Sequence, residues 1–143
     1  MITMERTVRV DKPTDRVFDY LADFTNSTDW DPGTISTVLI DGDGSVGSRY
    51  RNTSKFAGRV STLIYQVREI VPGRHIHLRG ENSSLVADDR ITVQATNGGS
   101  EVIYRAEFDF RGVLTLLTPV LRIFVKRLGD AGARGIADAL QKL

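Results

Sequence analysis

Asp89 is the residue whose setting points most directly to chemistry. Strand alternation groups it with Ala87, Ile91 and Val93 rather than with Asp88, Arg90 and Thr92, so it shares an otherwise apolar face. A carboxyl group there needs a partner or a proton, because burial penalises the charged form. One reading is a ligand-orienting group or a general acid/base. The other is a carboxylate at the rim, or one turned outward by a bulge, since a one-residue slip at Asp88-Asp89 would reverse the facing. Tyr50, Asn52, Tyr65 and Tyr104 place hydroxyl and amide groups on apolar faces too. Each serves either an internal ligand or water, or a packed core with its polar tip at the rim. Tyr104 lies in the clearest alternation of the chain, whereas the stretch Arg59 to Ile70 does not choose an inward parity, which leaves Tyr65 open. Trp30 reads as a plug that packs a short helix onto one end of the sheet, with contact to a ligand as the alternative.

Other chemistries are weaker on inspection. His75 and His77 stand two apart on a strand and point the same way. They oppose Ile76 and Leu78, and no third histidine exists to complete a metal site or a buried triad. They are expected on the solvent side, and neither a metal nor a cofactor is expected. Gly42 to Gly47 spells G-x-G-x-x-G, but a phosphate cradle requires a helix to begin there. Strand alternation from Ser48 follows instead, so the glycines are expected in a hairpin loop. Arg49, Arg51, Lys55, Arg105 and Arg111 alternate outward with the aromatics on the opposite face. That is unlike the interleaving of nucleic-acid binders, and with a net charge of +1 no nucleic-acid partner is expected.

The elements that must position these residues follow from hydrophobic period. Thr3 to Val10 suits a strand, Thr14 to Phe24 a helix capped by Asp11 or Thr14, and Thr25 to Gly33 a second short helix carrying Trp30. From Thr34 the period changes to two. Strands are expected at Ile35–Ile40, Ser48–Phe56, Arg59–Val71, His75–Arg79 and Leu85–Ala95, with a last one, Val102 to Phe110, whose aromatics face inward. Tight turns between them require antiparallel pairing. The chain closes on a long helix, Pro119 to Lys142, with Thr118 as its N-cap. Val120, Leu121, Phe124, Leu128, Ala131, Gly132, Gly135, Ala139 and Leu143 fall on one face and Arg122, Lys126, Asp130, Arg134 and Gln141 on the other. Gly129, Gly132 and Gly135 each cost about 1 kcal/mol against alanine in a helix interior. They either bring the helix close to the sheet or leave room for a ligand and for bending, and the reading taken here is room and bending.

This order defines one α+β domain over residues 1–143: a six- to seven-stranded curved antiparallel sheet around a long C-terminal helix, with two short helices after the first strand. With no cysteine, no signal-like apolar run at the N-terminus and no window of roughly 20 apolar residues, a cytoplasmic protein without membrane-spanning segments is expected.

The chain resembles the helix-grip fold of the START-like superfamily that also includes the major birch pollen allergen. More narrowly, it resembles the polyketide cyclase/dehydrase and lipid-transport (SRPBCC) group. The carriers are Val17 to Phe24, then Asp29-Trp30-Asp31-Pro32-Gly33, then Tyr104 to Phe108 leading to Gly112 and the final helix. The resemblance implies a deep apolar cavity between sheet and last helix, used for lipids, sterols or polyketides; it implies no particular reaction. Binding, transport or sequestration of a hydrophobic small molecule is therefore the leading expectation. Tyr50, Asn52, Tyr65, Asp89, Tyr104, Phe108, Phe124, Leu128 and Gly132 are the expected ligand-binding residues. A cyclase/dehydratase-type enzyme with Asp89 as acid or base, and a protein-interaction module, are the alternatives. Ligand identity and oligomeric state do not follow from these residues.

Overall fold

A computed structural model describes residues 1–143. The chain runs β1 (Ile2–Val10), α1 (Thr14–Ala22), a 3-10 turn (Phe24–Asn26), α2 (Ser27–Trp30), β2 (Thr34–Asp41), β3 (Arg49–Phe56), β4 (Arg59–Val71), β5 (His75–Glu81), β6 (Leu85–Thr96), β7 (Gly99–Phe110), a 3-10 segment (Gly112–Leu117) and α3 (Thr118–Gln141). The sheet order is β1-β7-β6-β5-β4-β3-β2, with every neighbour antiparallel. This is the curved seven-stranded sheet and long C-terminal helix read from the sequence.

Period-two patterning sets the facing of the strands. Inward residues of β6 and β7 (Ala87, Asp89, Ile91 and Val93; Val102, Tyr104, Ala106 and Phe108) are all buried. Their cross-strand partners fall in register, Asp89 opposite Ala106 and Ile91 opposite Tyr104. In β4 the inward set is Leu63, Tyr65 and Val67. A register shift between Val67 and Glu69 then breaks the alternation, which explains why the parity of that strand could not be read. His75 and His77 lie on the outer face, bonded to Thr92 and Asp88 respectively, opposite the fully buried Ile76 and Leu78. The glycine-rich stretch is the β2–β3 hairpin loop, with positive φ at Gly42, Gly44 and Gly47. The strand β2 lies at the sheet edge, shows two register shifts, between Thr34 and Ser36 and between Leu39 and Asp41, and leaves Ile35, Val38, Leu39 and Ile40 exposed.

Helix α3 packs along β1 and α2, and its burial corrects the expected face. The buried positions are Leu121, Val125, Gly129, Gly132, Ile136 and Leu140, a stripe rotated from the predicted one. Val120 is half exposed, and Ala131 and Gly135 flank the stripe rather than centring it. Burial of Ile136 and Leu140 contributes roughly 1.5–3 kcal/mol each. The expected cap is also corrected: Thr118 is already helical, and its hydroxyl donates to the Thr115 carbonyl (2.7 Å) instead of accepting from the first turn. Helix α1 likewise starts after Pro13, with no side-chain cap from Asp11 or Thr14.

The glycines of α3 serve close approach, against the expectation of room and bending. A Cβ on Gly135 would overlap the Trp30 carbonyl, and one on Gly129 would lie 2.8 Å from Met4 Sδ. Only Gly132 has space, its nearest neighbour being Tyr104 Cε2 at 3.7 Å. The side-chain-free surface is what lets α2 seat directly on α3.

Candidate ligand cavity

The inner face of the sheet does not close completely onto α3. The two diverge toward the β3–β4 hairpin, leaving a cavity of about 490 Å3. Its mouth is framed by the hairpin tip at Ala57 to Val60 and by Leu114, Leu117 and Val120 from the 3-10 segment and the start of α3. Phe56 of β3 forms a bridge of rings across this end, stacking on Phe110 of β7 (6.1 Å) and meeting Phe124 of α3 edge-on (6.0 Å). Deeper walls come from Leu63, Phe108, Leu121 and Leu128.

The polar groups converge deeper in. Asp89 is 4% exposed, and its Oδ1 has no hydrogen-bond partner in the protein. Burial, and then the charges of Asp31 and Asp88, push its carboxyl up to about 8. A carboxyl in that state is largely neutral at pH 7 and offers an O–H as well as an acceptor oxygen. Tyr65 and Tyr104 are buried beside it. Burial, followed by the charge of Asp89, holds both phenols well above their ordinary range, so both are hydroxyl donors at any ordinary pH. The ring of Tyr65 lies directly over Gly80 of the neighbouring strand, where a Cβ would sit 2.7 Å from Cζ. The ring of Tyr104 meets Trp30 edge-on at 5.4 Å.

Asp31, which sequence reasoning did not single out as a site residue, also lines the cavity. Its carboxylate accepts the Gly33 N–H and the Thr34 hydroxyl (both 3.0 Å). Burial nevertheless raises its pKa, with those two bonds opposing the shift. Asn52 supports this arrangement: its Nδ2 donates to Thr34 Oγ1 (3.2 Å) and to Thr37 Oγ1 (2.9 Å), and the latter bonds Ser27 Oγ (2.7 Å). Both amide hydrogens of Asn52 are therefore committed to protein partners. Asp31 carried one signal, its place in Asp29-Trp30-Asp31-Pro32-Gly33, but nothing local to that turn announces burial.

Of the expected ligand-binding residues, the structure brings Asn52, Tyr65, Asp89, Tyr104, Phe108, Phe124 and Leu128 to the cavity wall. It does not bring Tyr50 or Gly132 there. Tyr50 packs edge-on against Phe24, with its hydroxyl toward the β2–β3 loop, where Asp23 and Asp43 act on it after burial. Gly132 sits behind the ring of Tyr104. Trp30 is a buried plug, 2% exposed, and does not line the cavity. No cluster of three or more metal-ligating acidic, histidine or cysteine side chains exists, and no helix is long and apolar enough to cross a membrane.

A curved antiparallel sheet gripping one long helix, with a largely apolar cavity between them, defines a helix-grip domain. Comparison with known proteins makes the assignment narrower. The profile described as polyketide cyclase / dehydrase and lipid transport matches residues 1–141, and the chain belongs to that family. No curated protein matches it in sequence. Among solved structures, it is similar to the Zhui aromatase/cyclase from a Streptomyces species (TM-score 0.83, 18% identity, covering 98% of this chain and 93% of that one). It is also similar to a START superfamily protein from Mycobacterium smegmatis (TM-score 0.81, 12% identity, 98% and 97% covered). Ara h 8.0201 superposes with a TM-score of 0.72 at 16% identity, over 99% and 98% of the two chains. Identities this low speak to the fold alone.

Proposed function

We propose that this chain binds a hydrophobic small molecule carrying one polar group, with the apolar body between sheet and α3 and the polar group at Asp89. The observation that carries this reading is the buried, unpartnered Asp89 Oδ1 deep in an otherwise largely apolar space. A buried polar atom without a partner costs about 1–3 kcal/mol, and a ligand hydroxyl or carbonyl would recover it. The cavity volume falls within the roughly 300–1,000 Å3 of small-molecule sites, and the family description includes lipid transport. The test is titration with an apolar fluorescent dye, backed by native mass spectrometry of the purified protein. One-to-one binding is expected, and Leu128→Trp, which fills the space from α3, should abolish it with the fold intact. Failure of every dye and lipid to bind would sink the proposal.

A second reading is a cyclase/dehydratase-type enzyme in the same cavity. The observation that favours it is the grouping of two carboxyls with shifted acidity, Asp31 and Asp89, beside the hydroxyls of Tyr65 and Tyr104. A carboxyl titrating near 8 suits proton transfer at neutral pH. Asp89 would give or take the proton while a tyrosine hydroxyl holds the substrate oxygen. Turnover of a polyketide-like substrate should then fall in Asp89→Asn while dye binding persists; unchanged turnover would remove Asp89 from the reaction.

A further inference from the structure

The charge of the chain is unevenly placed. Residues 44–68 and 110–129 hold nine of the 19 basic residues and none of the 18 acidic ones, so the rest of the chain, with ten basic and 18 acidic residues, is net −8. Within the basic segments, Lys55, Arg59, Arg111, Arg122, Lys126 and Arg127 belong to the hairpin tip, the segment after β7 and the first half of α3, the elements that frame the cavity mouth. All six are exposed and none takes part in an ion pair, whereas six of the other 13 basic residues do (Arg6, Arg9, Arg49, Arg79, Arg90 and Arg105).

The same end carries three of the four most exposed large apolar side chains, the fourth being the N-terminal methionine: Leu116 is 81% exposed, Val113 78% and Val60 61%, and Ile123, at 55%, stands beside them on α3. Val113, Leu116 and Ile123 neither line the cavity nor belong to the core, so they contribute nothing to packing or to ligand contact. Aliphatic side chains standing clear of the fold on segments that also carry cations without acidic partners match the interfacial layer of a bilayer, where apolar groups enter the acyl boundary and Lys/Arg meet phosphates.

We infer that the cavity mouth docks on an anionic phospholipid surface, with Val113, Leu116 and Ile123 entering the interface and Arg122, Lys126 and their neighbours contacting the headgroups. Other occupants fit less well. Nucleic acid would find no exposed aromatic side chain here on which a base could stack. A second copy of the chain in a two-fold contact would set basic residues against basic residues with no acid to compensate. Docking in this orientation turns the cavity opening toward the lipid. It stands on surface residues alone, so it holds or fails separately from ligand binding.

The experiment is co-sedimentation of the full chain with vesicles of phosphatidylcholine alone, or with about one-third phosphatidylglycerol, at low and high salt. Binding is expected to the anionic vesicles only, and to weaken as salt is raised. Arg122→Gln with Lys126→Gln should weaken it by about fivefold per charge removed. Leu116→Asp with Ile123→Asp should weaken it by at least about tenfold. Dye binding in the cavity, measured on the same variants without vesicles, should not change. No sedimentation with anionic vesicles, equal partition into neutral ones, or indifference to both double variants would overturn the inference. So would concentration-dependent self-association that Leu116→Asp dissolves, or nucleic-acid binding tighter than vesicle binding.

Discussion

Replacing Asp89 by asparagine keeps the shape of the side chain and removes its titration. In the folded protein the carboxyl titrates near 8 rather than at 3.8, chiefly because it is buried and then because Asp31 and Asp88 lie near it. A raised carboxyl pKa means that the folded state holds the proton more tightly than the unfolded one. The stability it contributes is full below about pH 4 and is lost as pH rises toward 8. Each pH unit in that window is worth about 1.4 kcal/mol, so wild type forfeits roughly 4 kcal/mol by pH 7 relative to strongly acid conditions. Urea unfolding of wild type and Asp89→Asn at pH 5, 6 and 7 reads this directly. The variant should gain on wild type by about 1.4 kcal/mol per unit, close to 2.7 kcal/mol over the range. His75, whose pKa is lowered by burial, makes both proteins less stable on acidification and cancels in the difference. A stability gap constant from pH 5 to 7 would refute the argument, because Asp89 would then titrate alike in both states. A charged, partnered carboxylate, ionised in both states over this range, would give that constant gap.

Two further outcomes follow from the packing. Gly135→Ala should destabilise by about 1–3 kcal/mol in thermal or urea unfolding through overlap with the Trp30 carbonyl, whereas Gly132→Ala, whose Cβ meets only ordinary contact with Tyr104, should gain up to about 1 kcal/mol from helix propensity. Trp30, the only tryptophan, should emit at short wavelength and resist acrylamide quenching, and cavity occupation should alter its emission through Tyr104, its edge-on neighbour; an exposed spectrum would contradict the plug.

The strands were largely legible because period-two alternation survives wherever one face is buried, as in Val102 to Phe110 and Leu85 to Ala95. It failed in β4, where one bulge changes parity midway. The face of α3 was misread for a physical reason. Val120, Phe124 and Leu128 are apolar because they border the cavity and its mouth, so they drew the predicted stripe away from Val125, Ile136 and Leu140, which meet the core. Glycines add to the confusion, since Gly129 and Gly135 mark tight contact while carrying no hydrophobic signal. Parity grouped Asp89 with the inward residues but left a rim or outward-turned carboxylate open, because a single bulge at Asp88-Asp89 would have reversed it. Asp31 was not legible, because its burial arises where β2, β3 and α3 converge around a turn whose own residues look polar.

The edge strand β2 poses a different problem for the molecule. Four aliphatic side chains are exposed on a strand whose outer backbone groups have no neighbouring strand, the combination that lets one sheet template growth of another. The two register shifts bend and twist the strand away from the flat geometry that such growth requires. Irregularity at this edge thus protects against aggregation: the sheet stops at seven strands because its last one is a poor template for an eighth.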